Sequence, residues 1–167
     1  MSKMDNLKDL YEHLLKDAYS AEKQLTEAMP KMAEAVKSPD LRKAFTHHLQ
    51  ETHQHFSAID QILDSMGINP GNKVCVAMEG LIEEGKESLE KRSQIDPDVL
   101  DASLITAAQK VEHYEISQYG TLREFAEVLS HHDHAAAFQR ILDQEYEADK
   151  TLTAIAEGGL NVKALAG

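Results

Sequence analysis

The sequence predicts an all-α protein: a bundle of four long helices, with a shorter fifth helix in the middle connection. Three observations carry this. Apolar residues recur at three- and four-residue spacing through four long stretches. The helix breakers are few, 4 Pro and 8 Gly, and they fall mostly in clumps between those stretches. Ala, Leu, Glu, Gln, Lys and Met, all good helix formers, are abundant, whereas aromatic residues make up only 5% and Trp is absent.

The first stripe runs Leu7, Leu10, Leu14, Ala18, Ala21, Leu25, Met29, Met32. Asp5 is the expected N-cap, and the helix is expected to span residues 5–37 with a kink at Pro30. Ser38-Pro39-Asp40 marks a turn and a new helix start. The second stripe is Leu41, Phe45, His48, Thr52, His55, Ile59, Ile62, Met66. Gly67 stops it, with Asn69-Pro70-Gly71-Asn72 beyond. Residues 73–92 carry a shorter pattern (Val74, Met78, Leu81, Ile82, Leu89), read as a crossover helix. A third long stripe follows Pro97: Leu100, Leu104, Ala107, Ala108, Val111, Glu115, Tyr119, Leu122, Ala126. The polar segment from Ser130 to His134 reads as a turn. The last stripe is Phe138, Ile141, Leu142, Glu145, Asp149, Leu152, Ile155, ending before Gly158-Gly159, with a loose tail beyond. Residues 1–167 thus form one domain of two helix hairpins joined by a long crossover. That is the connectivity of ferritin-like bundles.

Composition narrows the function. Hydrophobic residues make up 42% of the chain, enough to bury a core. The net charge of -12 argues against a phosphate-backbone partner, so no nucleic acid is expected. No apolar run approaches the roughly 20 residues of a membrane span. The start, MSKMDNLKDLYEHLL, lacks a signal-peptide layout. Cys75 stands alone, which excludes an internal disulfide. A cytoplasmic protein is expected.

The informative anomaly is acid on faces that should be apolar. Glu22 falls between Ala18 and Leu25, and Glu51 beside Thr52 and His55. Glu112 and Glu115 flank the stripe at Val111 and Tyr119, and Glu145 and Asp149 lie between Leu142 and Leu152. Each long helix points at least one carboxylate inward. A lone buried carboxylate is costly unless paired, protonated or metal-bound, and the stripes hold almost no lysine. Two divalent ions would balance several carboxylates at once. Oxygen-rich sites with a histidine suit iron or manganese, with zinc or another divalent ion as a substitute. Glu51 with His55, and Glu145 with Asp149, are four apart and share a helix face; Glu112 and Glu115 are three apart and do likewise. Taken singly, each of these acids is an ordinary exposed or boundary residue. The joint pattern, one inward acid per helix, is what points to metal. A metal-free polar network is the alternative.

At these residues the chain resembles the YciF/YciE family of bacterial ferritin-like stress proteins. The resemblance covers nearly the whole chain. It rests on DAYSAEKQLTEAMPKM, HLQET, CVAMEGLIEEGKE, AAQKVEHYEISQYGTL and LDQEYEADKTL. It implies a ferritin-like fold, a di-metal centre, assembly as a homodimer and a link to stress responses, but no settled reaction. One departure from the wider di-iron proteins stands out. Those use Glu-x-x-His on two helices, whereas Gln54 and Ala148 stand three after Glu51 and Glu145. His55 and Asp149, one step later, would serve instead. The Glu112/Glu115 pair is similar to the acid pair of rubrerythrin-type peroxidases.

The leading expectation is a site where Glu51 and Glu145 bridge two ions and Glu22 and Glu115 are terminal ligands. Glu112, His55 and Asp149 complete or replace ligands, and dioxygen or peroxide is the small oxidant. Tyr19 and Tyr119 are placed to hydrogen-bond ligands, or serve as core tyrosines. His48 faces inward and would orient a carboxylate. The rival readings are metal binding without turnover and a metal-free interaction protein. His131, His132 and His134 are expected as polar residues opening the last helix, with a surface metal site as the alternative. Cys75 is expected as a small buried hydrophobe, with a redox thiol as the alternative. Met4, Leu7 and Tyr11, or the crossover helix, are the candidate dimer faces.

Overall fold

The computed structural model describes residues 4–165. Its helices are α1 (Leu7–Ala35), α2 (Pro39–Ser65), α3 (Val76–Glu90), α4 (Pro97–Val128), α5 (His132–Ile155) and α6 (Asn161–Leu165). No strand occurs among the described residues. α1 pairs with α2 and α4 with α5, forming two hairpins, while α3 lies in the crossover against α4 and α1.

The ends of the helices follow from local chemistry. Asn6, one residue after the expected cap, accepts the Asp9 N–H at 3.0 Å. α1 runs on through Pro30. Ser38 and Asp96 cap α2 and α4, each followed by Pro at the first helical position. α2 ends with Gly67 in the left-handed region (φ 66°), where Ile68 N–H reaches Leu63 O at 2.9 Å and Gly67 N–H reaches Asp64 O at 3.0 Å. α4 ends the same way, but Ser130 holds the left-handed position (φ 62°) with His131 N–H on Ala126 O at 2.8 Å. A single tight stop therefore suffices, and the expected five-residue turn shrinks: His132, Asp133 and His134 already belong to α5.

The core has three parts along the bundle. One end is apolar, built around Tyr11, Leu15, Ile59, Tyr119, Leu122 and Phe138. The other end is apolar too, built around Leu41, Phe45, Leu100, Leu104, Leu152 and Leu160. Between them lies a polar layer, which α3 flanks through Cys75 and Met78. Leu160 belongs to the second end because the chain beyond α5 does not trail away. A wide turn over Ala156–Leu160, with Gly159 at φ 117°, leads into α6. Tyr11 is fully buried, so it is unavailable to a dimer face.

Candidate metal centre

Each of the four long helices contributes to the polar layer, because the inward stripe of each is interrupted near its middle. α1 brings Glu22, α2 brings His48 and His55, α4 brings Glu112 and Glu115, and α5 brings Glu145. All six are buried, Glu22 and Glu145 completely. They fall into two groups whose ligand atoms lie within 4.8 Å of one another: His48, Glu112, Glu115, Glu145, and Glu22, His55, Glu145. Glu145 belongs to both. One of its oxygens lies 3.3 Å from His48 Nε2, the other 3.1 Å from His55 Nδ1.

The geometry within the layer is that of atoms facing a shared space. His48 Nε2 also approaches Glu112 at 3.3 Å, and His55 Nδ1 approaches Glu22 at 3.6 Å. Yet these contacts are not hydrogen bonds. Among the described residues, both Glu145 oxygens, one oxygen each of Glu22, Glu112 and Glu115, His48 Nε2 and His55 Nδ1 find no hydrogen-bond partner. Such atoms normally do. The donors and acceptors therefore converge on common points rather than on each other, as metal ligands do.

A surrounding layer of side chains fixes the orientation of the histidines. Glu51 lies outside both groups. It accepts from His48 Nδ1 at 3.3 Å and from Gln144 Nε2 at 3.1 Å. A carboxylate only accepts, so the Gln144 amide must turn its NH2 to Glu51 and its oxygen to His55 Nε2, at 2.9 Å. Each imidazole is thus anchored through one N–H, and its other nitrogen faces the centre. The expected relation is inverted: Glu51 orients His48. Tyr119 donates a hydrogen bond to Glu22, whereas Tyr19 stacks on Phe56 away from the layer. Asp149 lies outside both groups. It is partly exposed, accepts from Gln109 at 3.0 Å and sits 3.5 Å from His113.

The electrostatics follow from crowding buried acids and imidazoles into one layer. Burial alone would lower the pKa of His48, but Glu112, Glu51 and Glu145 overcome it and hold the imidazole well above its usual range. His55 behaves likewise: Glu145 and Glu22 outweigh burial and raise it to about 10. Burial, then the neighbouring carboxylates, push Glu115 well up. Burial also raises Glu145, against the pull of the two histidines. Glu51, beside His48, is lowered although burial opposes this.

The other sequence candidates sit elsewhere. His131 and His134 stack on each other and on Tyr11, and His132 pairs with Glu127 at 2.8 Å. No metal-compatible group among the described residues includes them. Cys75 is buried, receives the Met78 N–H, and meets Tyr114 Oη at 3.0 Å. Burial raises its thiol pKa, which makes it a poor thiolate. One residue, Gln144, escaped sequence reading, since it carries no signal of its own. His48 was read as an inward-facing partner of a carboxylate, and the structure groups it with Glu112, Glu115 and Glu145.

Comparison with known proteins agrees with this architecture. Residues 6–165 match the family described as a domain of unknown function, DUF892. The chain is 46% identical over 162 residues to Protein YciF of Escherichia coli, covering 96% of each. The crystal structure of that bacterium's stress protein YciF superposes with a TM-score of 0.88, covering 95% of this chain and 99% of the other. A putative structural protein of Rhodopseudomonas palustris, 40% identical, superposes with a TM-score of 0.82 over 91% of this chain and 96% of the other. A Xanthomonas campestris protein at 21% identity shares the fold, with a TM-score of 0.75 over 96% and 97%. The chain belongs to the DUF892 family, the family of YciF.

Proposed function

We propose that this chain is a metal protein of bacterial stress responses, with two iron or manganese ions in its polar layer and oxygen or peroxide as their reactant. The observation that carries this is the set of buried, unpartnered carboxylate and imidazole atoms that converge in two groups sharing Glu145. His48, Glu112, Glu115 and Glu145 would hold one ion, and Glu22, His55 and Glu145 the other. Two divalent ions carry the charge of the four carboxylates if both histidines are neutral. The oxygen-rich donor set suits iron or manganese, which would supply a one-electron couple and Lewis acidity. The protein's own part is preorganisation. Glu51 and Gln144 fix the imidazoles, Tyr119 fixes the Glu22 carboxylate, and the two apolar ends keep bulk water away. The stress role comes from what the Escherichia coli relative is called. We place the protein in the cytoplasm as a homodimer; no described helix is long and apolar enough to cross a membrane.

Metal analysis of purified, tag-free protein tests the reading. About two iron or manganese ions per chain are expected, with both lost in Glu145→Ala. Glu51→Ala, which frees His48 and the Gln144 amide that anchors His55 but removes none of the six inward-facing groups, should weaken binding by about 10- to 100-fold. Metal-free protein that stays so after anaerobic reconstitution sinks the proposal. That result would favour a structural role, the description given to the Rhodopseudomonas palustris relative.

A further inference from the structure

One flank of the polar layer opens onto apolar space. A cavity of about 60 Å³ lies between α2 and α5. Its deep wall includes Leu25, Met29, Phe45 and Val111, and it reaches His48 and Glu112 of the centre. It also touches His47, whose side chain is 71% exposed, so it extends to the surface. A second cavity, of about 70 Å³, lies under α3 against Leu81, Ile82 and Leu89. Leu25, Met32 and Val111 line both, so these side chains lie between the two cavities. Gly85 lets α3 close over the second cavity. A Cβ there would meet the Ala107 Cβ at 3.3 Å, so a larger residue would lift the helix from α4.

The size and chemistry of these cavities select their occupant. One water molecule needs about 10–15 Å³ of such space, so each chamber has room for a small molecule of a few atoms. Apolar cavities of this kind stay dry, because water needs polar partners to enter. Apart from a few side chains at the centre and the mouth, the first cavity offers none. Anions are disfavoured by the net charge of -12 and by the carboxylates of the layer itself. We propose that the paired cavities bind a small, uncharged, apolar molecule of dioxygen's class next to the His48–Glu112 side of the centre, with Val111 as the dividing side chain. The binding rests on the cavities alone; only its use rests on the metal reading above.

Crystals of the iron-loaded protein pressurised with xenon test it. Xenon in both chambers is expected, merging into one elongated site in Val111→Ala. Ordered water in the chambers with no xenon overturns the proposal. The metal in the same crystals separates the two claims: iron without xenon removes the cavity proposal alone, and xenon without iron removes the metal reading alone. Val111→Phe, which fills the partition, adds a kinetic readout. It should slow the oxidation of bound ferrous to ferric iron by dioxygen about tenfold, a barrier change of about 1.4 kcal/mol. Hydrogen peroxide, polar and able to arrive through solvent, should oxidise the same iron at an unchanged rate. Equal slowing with both oxidants, or with neither, overturns the proposed route.

Discussion

Carboxylates are buried in two places in this bundle, and the two are solved in opposite ways. At one end of the bundle, Asp101 of α4 is only 1% exposed, yet both its oxygens are satisfied. It accepts the backbone N–H of Lys37 at 2.9 Å and of Ser38 at 2.7 Å. It thereby ties the turn between α1 and α2 to the second hairpin. In the middle, Glu145 is equally buried and neither oxygen has a hydrogen-bond partner. The first arrangement is complete as it stands. The second leaves Glu145 with only ion-pair contacts, to His48 and His55. A buried polar group without partners is the exception in folded proteins, and here it recurs in six side chains on four helices. The comparison separates acid satisfied by the fold from acid that the fold leaves unsatisfied, which is where the proposed metal site lies.

Substitution should split the two sites cleanly. Asp101→Ala leaves two partly buried N–H groups without acceptors, at about 1–2 kcal/mol each. A loss of about 2–4 kcal/mol in metal-free stability is expected, with metal content per folded chain unchanged. Glu145→Gln keeps the shape and removes one charge from an over-acidic cluster. Its metal-free stability should change by no more than about 1 kcal/mol, while metal binding collapses. Denaturant melts of both variants, with and without metal, decide this. If Glu145→Gln destabilises the metal-free chain as much as Asp101→Ala does, the middle layer is a structural network and not a ligand site.

The next effect is in pH. The layer should contribute much to it. His55, raised to about 10, gives stability that is whole below its unfolded value near 6.5 and is lost as pH rises through about 10. His48 and Glu115 are also raised, so they too hold protons in the fold that the unfolded chain releases. All three have the same sign: metal-free protein weakens as pH climbs from about 6 towards 10. Metal bound as proposed would expel these protons. The gap in Tm between loaded and metal-free protein should therefore widen over that range, and neutral-pH loading should acidify a weakly buffered solution. A gap independent of pH would show that the histidines do not lose protons to the metal.

Much of this was legible in the sequence, and the parts that were not share a cause. The four helices, the crossover and the two hairpins follow from periodicity and from Pro and Gly, which act locally. Glu22, His55, Glu112, Glu115 and Glu145 stand out because acid or imidazole on an apolar stripe is itself an anomaly. Glu51 and Asp149 share those helices but lie at the stripe's edge. A spacing of four residues turns the helix past a full turn, so a partner of an inward residue lands beside it and not above it. Gln144 and Asp101 were invisible for a different reason. Their roles are defined by what they touch on other helices, and a glutamine or aspartate on a helix flank carries no local mark. The bend after α5 was missed because two glycines read as an end, whereas Gly159 is used for a turn that returns Leu160 to the core.

The smallest predicted effect concerns the two helix stops. α2 and α4 end in the same hydrogen-bonded motif, but α2 uses Gly67 and α4 uses Ser130 in the left-handed conformation. An L residue there pays about 1 kcal/mol relative to glycine, because its Cβ crowds the backbone. Ser130→Gly should relieve that strain. Part of the gain returns to the unfolded chain, which glycine makes more flexible. The net expectation is a stabilisation of about 0.5 kcal/mol, with no change in metal content, since Ser130 lies beyond the apolar end and far along α4 from Glu115. The converse, Gly67→Ser, should cost a similar amount, because a Cβ at Gly67 meets nothing within 4 Å and only the backbone conformation opposes it. Thermal melts of the two variants side by side would show whether the stops are interchangeable. If Ser130→Gly weakens the protein, then the serine contributes something at this turn that its backbone conformation does not reveal.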